Sequence, residues 1–318
     1  MNFFLVLFMY GVWSSTFSLG KIALEVSPPL FLTSFRMLLA ALLILSYLFL
    51  RRKFSFRFSL KQWGQLGLLS VFAIYLTNAF EFQGLQGLTA AKTCFIYSLS
   101  PFFAAFFSYL HFGEKMNKRK WLGVLIGVIG FIPLLASQKG AEELVTTIPF
   151  LSWSELSMVG ASICTAYGWI LLRMVVSPSK SREEVPISPM EANGISMFVG
   201  GLLALGHSFL VDGWNPLPVE TANFAPFLKS VFAMTLVSNV LCYNLYGFLL
   251  KRFTATFLSF MGLFSPIFAS INSWLFLGEQ PSPILFLSTA IVSTGLWLIY
   301  SAELRQGYIQ KNATIASS

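Results

Sequence analysis

Charge is what this sequence has least of. Asp, Glu, Lys and Arg make up 11% of its 318 residues, against about 25% in a soluble domain. So few charges cannot cover a water-facing exterior, which excludes an ordinary soluble fold. Cysteine is equally sparse. Cys94, Cys164 and Cys242 each lie inside an apolar run without a CxxC partner. They read as small buried apolar residues, with no disulfide framework and no metal site. His111 and His207 lack ligand spacing. The sequence has no Walker-type phosphate loop, no zinc-protease HExxH, no nucleophile elbow and no acidic pair suited to intramembrane proteolysis. ATP hydrolysis, enzymatic activity and a cofactor are therefore not expected.

Apolar length is what the chain has in quantity. Hydrophobic residues reach 56% and aromatics 16%, with 34 Phe. The net charge of +8 sits in short clusters between apolar runs, as topology signals do, so nucleic acid is not an expected partner. A membrane span needs about 20 apolar residues. Ten such runs fall at 2–20, 29–49, 63–82, 89–112, 120–137, 155–176, 192–212, 226–249, 253–277 and 283–302. The first, Met1 to Leu19, has no basic leader and reads as a retained span rather than a signal peptide. With a cytoplasmic N-terminus, 16 of the 21 basic residues fall inside. They include Arg51, Arg52 and Lys61 after the second span and Lys115 to Lys120 after the fourth. The positive-inside rule thus places both termini in the cytoplasm.

The strongest internal signal is a repeat spaced by 165 residues. Thr89-Ala90 recurs as Thr254-Ala255, Phe95 as Phe260, Ser100-Pro101 as Ser265-Pro266 and Phe103-Ala104 as Phe268-Ala269. Leu110, Gly113-Glu114 and Gly130 recur as Leu275, Gly278-Glu279 and Gly295. Five spans separate the copies, and an odd number turns the second copy upside down. The loops agree. Glu114 leads into a basic stretch ending at Lys120, whereas Glu279 leads into Gln280-Pro281-Ser282-Pro283 without a basic residue. The fold class expected is all-α: a polytopic membrane protein with ten transmembrane helices in two inverted five-helix repeats. The first repeat is 1–137, an external loop 138–154, the second repeat 155–302 and a cytoplasmic tail 303–318.

The runs Leu88 to Phe131 and Phe253 to Tyr300 resemble the EamA domain of the drug/metabolite transporter superfamily. Each has a small-residue start, a mid-span Pro, a Gly-Glu at the span end and a Gly-rich following helix. Trp13-Ser14-Ser15, Lys21, Pro29 and Arg36 resemble the family's first-helix signature, although a Gly often stands where Ser14 does. The resemblance covers nearly the whole chain. It implies a secondary carrier of the bacterial inner membrane working by alternating access. Among such carriers the chain looks most similar to the S-adenosylmethionine transporters of obligate intracellular bacteria. That similarity implies uptake of S-adenosylmethionine in exchange for S-adenosylhomocysteine. An exporter of amino acids or related metabolites is the alternative within the class. A non-transporting scaffold or receptor is the alternative outside it. The expected partners are a small-molecule substrate and the lipid bilayer; a homodimer is compatible with the sequence but not derivable from it.

Candidate substrate residues follow from polar and aromatic stripes, which are costly against lipid and so should face the interior. Tyr75, Asn78 and Glu81 fall at i, i+3 and i+6 of the third span, and Asn239, Tyr243 and Tyr246 mark the eighth. The 165 register is ambiguous here, because Val71-Phe72-Ala73 also recurs as Val231-Phe232-Ala233. Trp13 in the first span and Trp169 in the sixth offer stacking surfaces, although packing alone would also explain them; Phe17, on the face of Trp13, and Tyr97 are further substrate-binding candidates. Lys92 and Glu81 lie at one level near the outer side. They either pair with each other or hold the two charges of a zwitterionic substrate. Arg36 lies about one turn into the second span, where it could snorkel, cap a helix end or touch substrate. Pro101 and Pro266, each after a serine (Ser100, Ser265), interrupt their spans and are candidate hinges, because proline removes a backbone hydrogen bond. A static kink is the alternative. Glu114 and Glu279 read as helix anchors, and Gly123, Gly127 and Gly130 as a packing stripe.

The inversion is testable by thiol labelling. Gln280→Cys should react with an impermeant reagent from outside and Lys118→Cys only from inside. Labelling of both from one side would overturn the inverted arrangement.

Overall fold

The computed structural model describes residues 2–52, 58–113, 115–137, 152–177, 187–214, 216–251, 253, 258–259, 261–278, 280 and 283–307. Glu114, Glu279, most of the 138–154 loop and the tail beyond 307 lie outside this description. Among the described residues all regular structure is helical. In chain order the helices are α1 (Asn2–Trp13), α2 (Ser15–Leu24), α3 (Pro29–Leu50), α4 (Leu60–Leu69), α5 (Thr77–Gly87), α6 (Ala90–Tyr97), α7 (Ser100–Phe112), α8 (Lys118–Ser137), α9 (Trp153–Val176), α10 (Pro189–Val211), α11 (Phe224–Met234), α12 (Tyr243–Leu249), α13 (Ser265–Leu277) and α14 (Pro283–Gln306). Two π-helical segments, Ser70–Leu76 and Thr235–Cys242, join α4 to α5 and α11 to α12.

The helices begin where local chemistry starts them. Ser59, Ser152 and Ser188 each accept from the backbone N–H three residues on, while Gln62, Glu155 and Glu191 return the bond. These capping boxes satisfy amides that would otherwise be orphaned at a helix start. Pro29 and Pro189 open α3 and α10, where a missing N–H costs nothing. Gly113 and Gly278 end α7 and α13 in the left-handed region, φ 64° and 69°, which favours a residue without Cβ.

Among the described residues eight helical stretches are long and apolar enough to cross a bilayer, and the protein is polytopic. Helix α8 and the 13-residue α13 lie outside those eight. One boundary differs usefully from the sequence reading. The third stretch runs Leu60–Gly87 rather than stopping near 82. No breaker occurs before Leu88-Thr89, and the polar residues Gln83 and Gln86 are carried at its end. Glu81 therefore lies inside the helix and not at its terminus.

The structure resolves the repeat register. The π segments begin at Ser70 and Thr235, 165 residues apart. Helices α7 and α13 begin at Ser100 and Ser265 and end at Phe112 and Leu277, again 165 apart at each end. The Val-Phe-Ala match at the shorter spacing does not mark equivalent turns.

Glycines set the closest approaches. A Cβ on Gly168 of α9 would meet Ala73 Cα at 2.8 Å, and one on Gly123 of α8 would meet the Gly295 carbonyl of α14 at 2.3 Å. Such proximity is the packing that membrane helices use in place of hydrophobic drive. Outward faces carry Phe49, Leu50, Trp121, Phe209, Leu210 and Trp297 exposed, the apolar surface that lipid requires. Gly295→Val should therefore destabilise the protein by about 1–3 kcal/mol through overpacking. Gly64→Ala, where a Cβ meets nothing within 4 Å, should be neutral or slightly stabilising. Fluorescence-detected thermal unfolding in detergent measures both, and equal midpoints would refute the close α8–α14 approach.

Candidate functional site

A cleft opens in the bundle, with about 710 Å³ of empty space counted together with the solvent at its mouth. Its walls come from breaks in the helices. Trp13 and Ser14 stand where α1 gives way to α2; Ser98 and Ser100 where α6 gives way to α7; Gly262 and Ser265 where a 3₁₀ turn enters α13. Ser238 lies within the second π segment, and Asn78 just past the first.

One end of the cleft is charged. Arg36 on α3 is 2% exposed. Its guanidinium donates to Asn78 Oδ1 and lies 4.9 Å over the Phe82 ring. Asn78 in turn donates to the Ile74 carbonyl at 2.7 Å. Among the described residues the buried Arg36 Nε–H finds no hydrogen-bond partner. Glu81 is half-buried in the same wall. Among the described residues its carboxylate makes no hydrogen bond and no close ion pair, and it meets Arg36 through the field between them. A hydroxyl relay adjoins this end. Thr77 donates to the Phe72 carbonyl, Thr165 donates to Thr77 at 3.1 Å, and Tyr97 and Thr165 are bonded. Each hydroxyl has one proton, so the chain runs from Tyr97 to Phe72 and the Tyr97 proton is already spent.

The other end is aromatic. Trp169 stacks on Tyr246 with centroids 4.0 Å apart. Trp13 lies 5.3 Å from Tyr243 and 5.9 Å from Trp169, and Tyr10 stacks beside Trp13 at 6.1 Å. Lys92 near the start of α6 pairs with Glu155 near the start of α9. Those two starts, and the end of α5 that precedes them, therefore lie at one end of the bundle. Arg36, Asn78 and Glu81 are nearer that end; Trp169 and Tyr246 are nearer the other, where α9 and α12 stop, and Tyr243, bonded to Asn78, lies between them.

Of the residues selected from sequence, Trp13, Phe17, Asn78, Glu81, Tyr97, Trp169 and Tyr243 line the cleft, with Ser100 and Ser265. Pro101 and Pro266 sit in the first turn of α7 and α13, at the breaks rather than within continuous helix. Three candidates fall elsewhere. Tyr75 bonds His207 Nδ1 at 2.8 Å on an exposed face. The π segment ends at Leu76 and turns Tyr75 away from Asn78. Asn239, in the matching π segment, is fully buried and donates to Met37 Sδ at 3.0 Å. Lys92 pairs with Glu155 at 3.0 Å and not with Glu81, because α9 rather than α5 brings a carboxylate to it. Glu155 uses its other oxygen on its own capping box.

Sequence reasoning passed over Tyr10, Cys94 and Ser259 as wall residues and left Arg36 between snorkelling, capping and substrate contact; the structure places Arg36 in the wall. The 165 register carried part of the signal. Asn78 and Tyr243, Glu81 and Tyr246, Cys94 and Ser259, Tyr97 and Gly262, and Ser100 and Ser265 are equivalent positions, and every one lines the cleft.

The EamA-like transporter family matches residues 2–136 and again 152–301. The chain is 40% identical over 97% of its length, and 94% of the relative's, to the S-adenosylmethionine/S-adenosylhomocysteine transporter of Chlamydia muridarum. It is 39% identical, over 97% and 92%, to the protein of that name in Chlamydia trachomatis serovar D. It is 25% identical, over 92% and 88%, to the uncharacterized inner membrane transporter YedA of Escherichia coli K12. A solved crystal structure superposes with a TM-score of 0.69 at 16% identity, over 95% of this chain and 97% of its own, and shows a shared fold.

The Lys92–Glu155 pair is 2% and 7% exposed. Removing one partner of such a pair costs about 3–5 kcal/mol, because the other charge stays buried alone. Lys92→Met should therefore lower thermal stability strongly, and Lys92→Met with Glu155→Gln should recover most of the loss. A double variant no better than the single one would show that the two side chains act separately.

Proposed function

The chain belongs to the EamA-like transporter family, and from that premise we propose that it is a ten-helix secondary carrier of the bacterial inner membrane that exchanges S-adenosylmethionine for S-adenosylhomocysteine. The observation that carries this reading is the make-up of the cleft. Ten of its wall residues are equivalent positions of the two repeats, yet Arg36, Asn78 and Glu81 gather on one side while Trp13, Trp169 and Tyr246 pack together on another. A nucleoside joined to an amino acid has the same two ends. Rings suit a purine and a sulfonium, and charged groups suit the amino-acid end. The curated relatives of that name at 39–40% identity support the same substrates.

Alternating access follows from the repeat. Two halves of inverted topology, 1–137 and 155–302, can exchange conformations and open one site to either side. The helix breaks at Ser100-Pro101 and Ser265-Pro266 are the hinges, since backbone there is already free of the helical ladder. Both termini lie in the cytoplasm, as the basic loops direct.

Uptake of labelled S-adenosylmethionine into proteoliposomes tests the proposal. Internal S-adenosylhomocysteine should accelerate it, and free amino acids should compete poorly. Trp13→Ala and Tyr243→Ala should each weaken apparent affinity about thirtyfold, from the roughly 2 kcal/mol of a dry cation–π contact. Uptake no greater than in empty vesicles would refute the assignment, and wild-type affinity in both variants would return the rings to packing.

A further inference from the structure

We propose that Arg36 and Glu81 form a clamp for an α-amino-acid head group, with Arg36 taking the carboxylate and Glu81 the ammonium. This rests on the transport reading above and assigns the ends of its substrate. The wall holds two opposite charges that are not spent on each other. Arg36 is almost wholly buried, and its Nε–H has no partner among the described residues. A buried unpaired donor on a cation is expensive, so its vacancy points to an anionic acceptor. One guanidinium nitrogen is held by Asn78 and one face by Phe82, which fixes the fork and leaves the Nε side free. Carboxylate is the anion that this planar fork fits best.

Glu81 presents the complementary vacancy. Among the described residues no donor bonds its carboxylate, although it stands in the same cleft. Tyr97, with its proton spent on Thr165, offers a second acceptor and no donor. Two acceptors, one of them anionic, suit an ammonium. An unpaired donor beside two unpaired acceptors is the complement of a zwitterion, and neither a neutral nucleoside nor a simple cation would satisfy both. The nearby Lys92–Glu155 pair serves as an internal contrast, since its members are already joined.

Inverted positions sharpen the assignment. Where the first repeat places Asn78 and Glu81, the second places Tyr243 and Tyr246. The amino-acid end of the ligand can therefore occupy only one end of the cleft. The rest of the molecule extends toward Trp13, Trp169 and Tyr246.

The test uses the purified full chain, binding labelled S-adenosylhomocysteine against three competitors. These are S-adenosylmethionine, its decarboxylated form and 5′-methylthioadenosine, which lacks the amino-acid end. In the wild type the last two should compete at least about tenfold more weakly, the effect of losing one charge-assisted hydrogen bond. Glu81→Gln should weaken S-adenosylhomocysteine about tenfold or more and leave 5′-methylthioadenosine unchanged. Arg36→Gln should erase the difference between S-adenosylmethionine and its decarboxylated form. If Arg36→Gln does not accumulate, the decarboxylated compound on the wild type decides the same point. Equal competition by all three, or an equal loss for all three in Glu81→Gln, overturns the clamp while leaving transport standing. No binding of S-adenosylhomocysteine to the wild type overturns the substrate reading and the clamp with it.

Discussion

In hydrocarbon an unmade backbone hydrogen bond has no water to turn to and costs several kcal/mol. The architecture of this protein follows from that constraint. A continuous helix satisfies its backbone anywhere in the bilayer, whereas a broken one must do so in the protein interior. Here the breaks come together. The α1–α2 junction at Ser14, the second π segment at Ser238, the Ser98–Ser100 step and the 3₁₀ turn before Ser265 all contribute to one cleft. Side-chain hydroxyls add bonds to backbone carbonyls beside the breaks. Ser14 donates to the Gly11 carbonyl at 2.8 Å, Thr77 to that of Phe72 and Ser98 to that of Cys94. The cavity thus exists because helix irregularity is tolerated there, and the irregularities repeat at one spacing because the chain does.

The same economy governs charge. Burying an ion is costly unless it is paired, and Lys92 and Arg36, both buried, meet that demand differently. Lys92 is joined to Glu155, whose second oxygen caps its own helix. This ties α6 of the first repeat to α9 of the second. Arg36 is held only in part, by Asn78 and by the face of Phe82. A site that keeps an unspent donor and an unspent carboxylate apart, yet within each other's field, is poised for a ligand. A site that has joined them is structural.

Positional symmetry and chemical asymmetry serve different ends. Equivalent positions let the two repeats trade roles as the carrier opens to one side and then the other. Unlike residues at those positions, Glu81 against Tyr246 and Asn78 against Tyr243, leave the cleft chemically asymmetric. A cleft symmetric in both respects would hold a ligand with two unlike ends no better one way than the other.

Composition and periodicity determined the class of this protein: the apolar runs, the 165-residue repeat, the Ser-Pro pairs and the aromatic residues Trp13, Phe17, Trp169 and Tyr243 were all legible in the sequence. Each depends on features local to one helix or on identities that recur. What surrounds a charge was not legible. Lys92 and Glu81 sit at the same level in sequence, but the partner of Lys92 comes from α9, some 60 residues away along the chain. The place of Arg36 in the wall likewise depends on α5 delivering Asn78 and Glu81 beside it. Helical spacing also failed where its premise did. Tyr75 and Asn239 occupy π segments, whose wider turns rotate side chains off the face that an α-helical count assigns to them. Periodicity tells which residues share a face of a regular helix; only the packed bundle decides where the helix departs from regularity and which charges then meet.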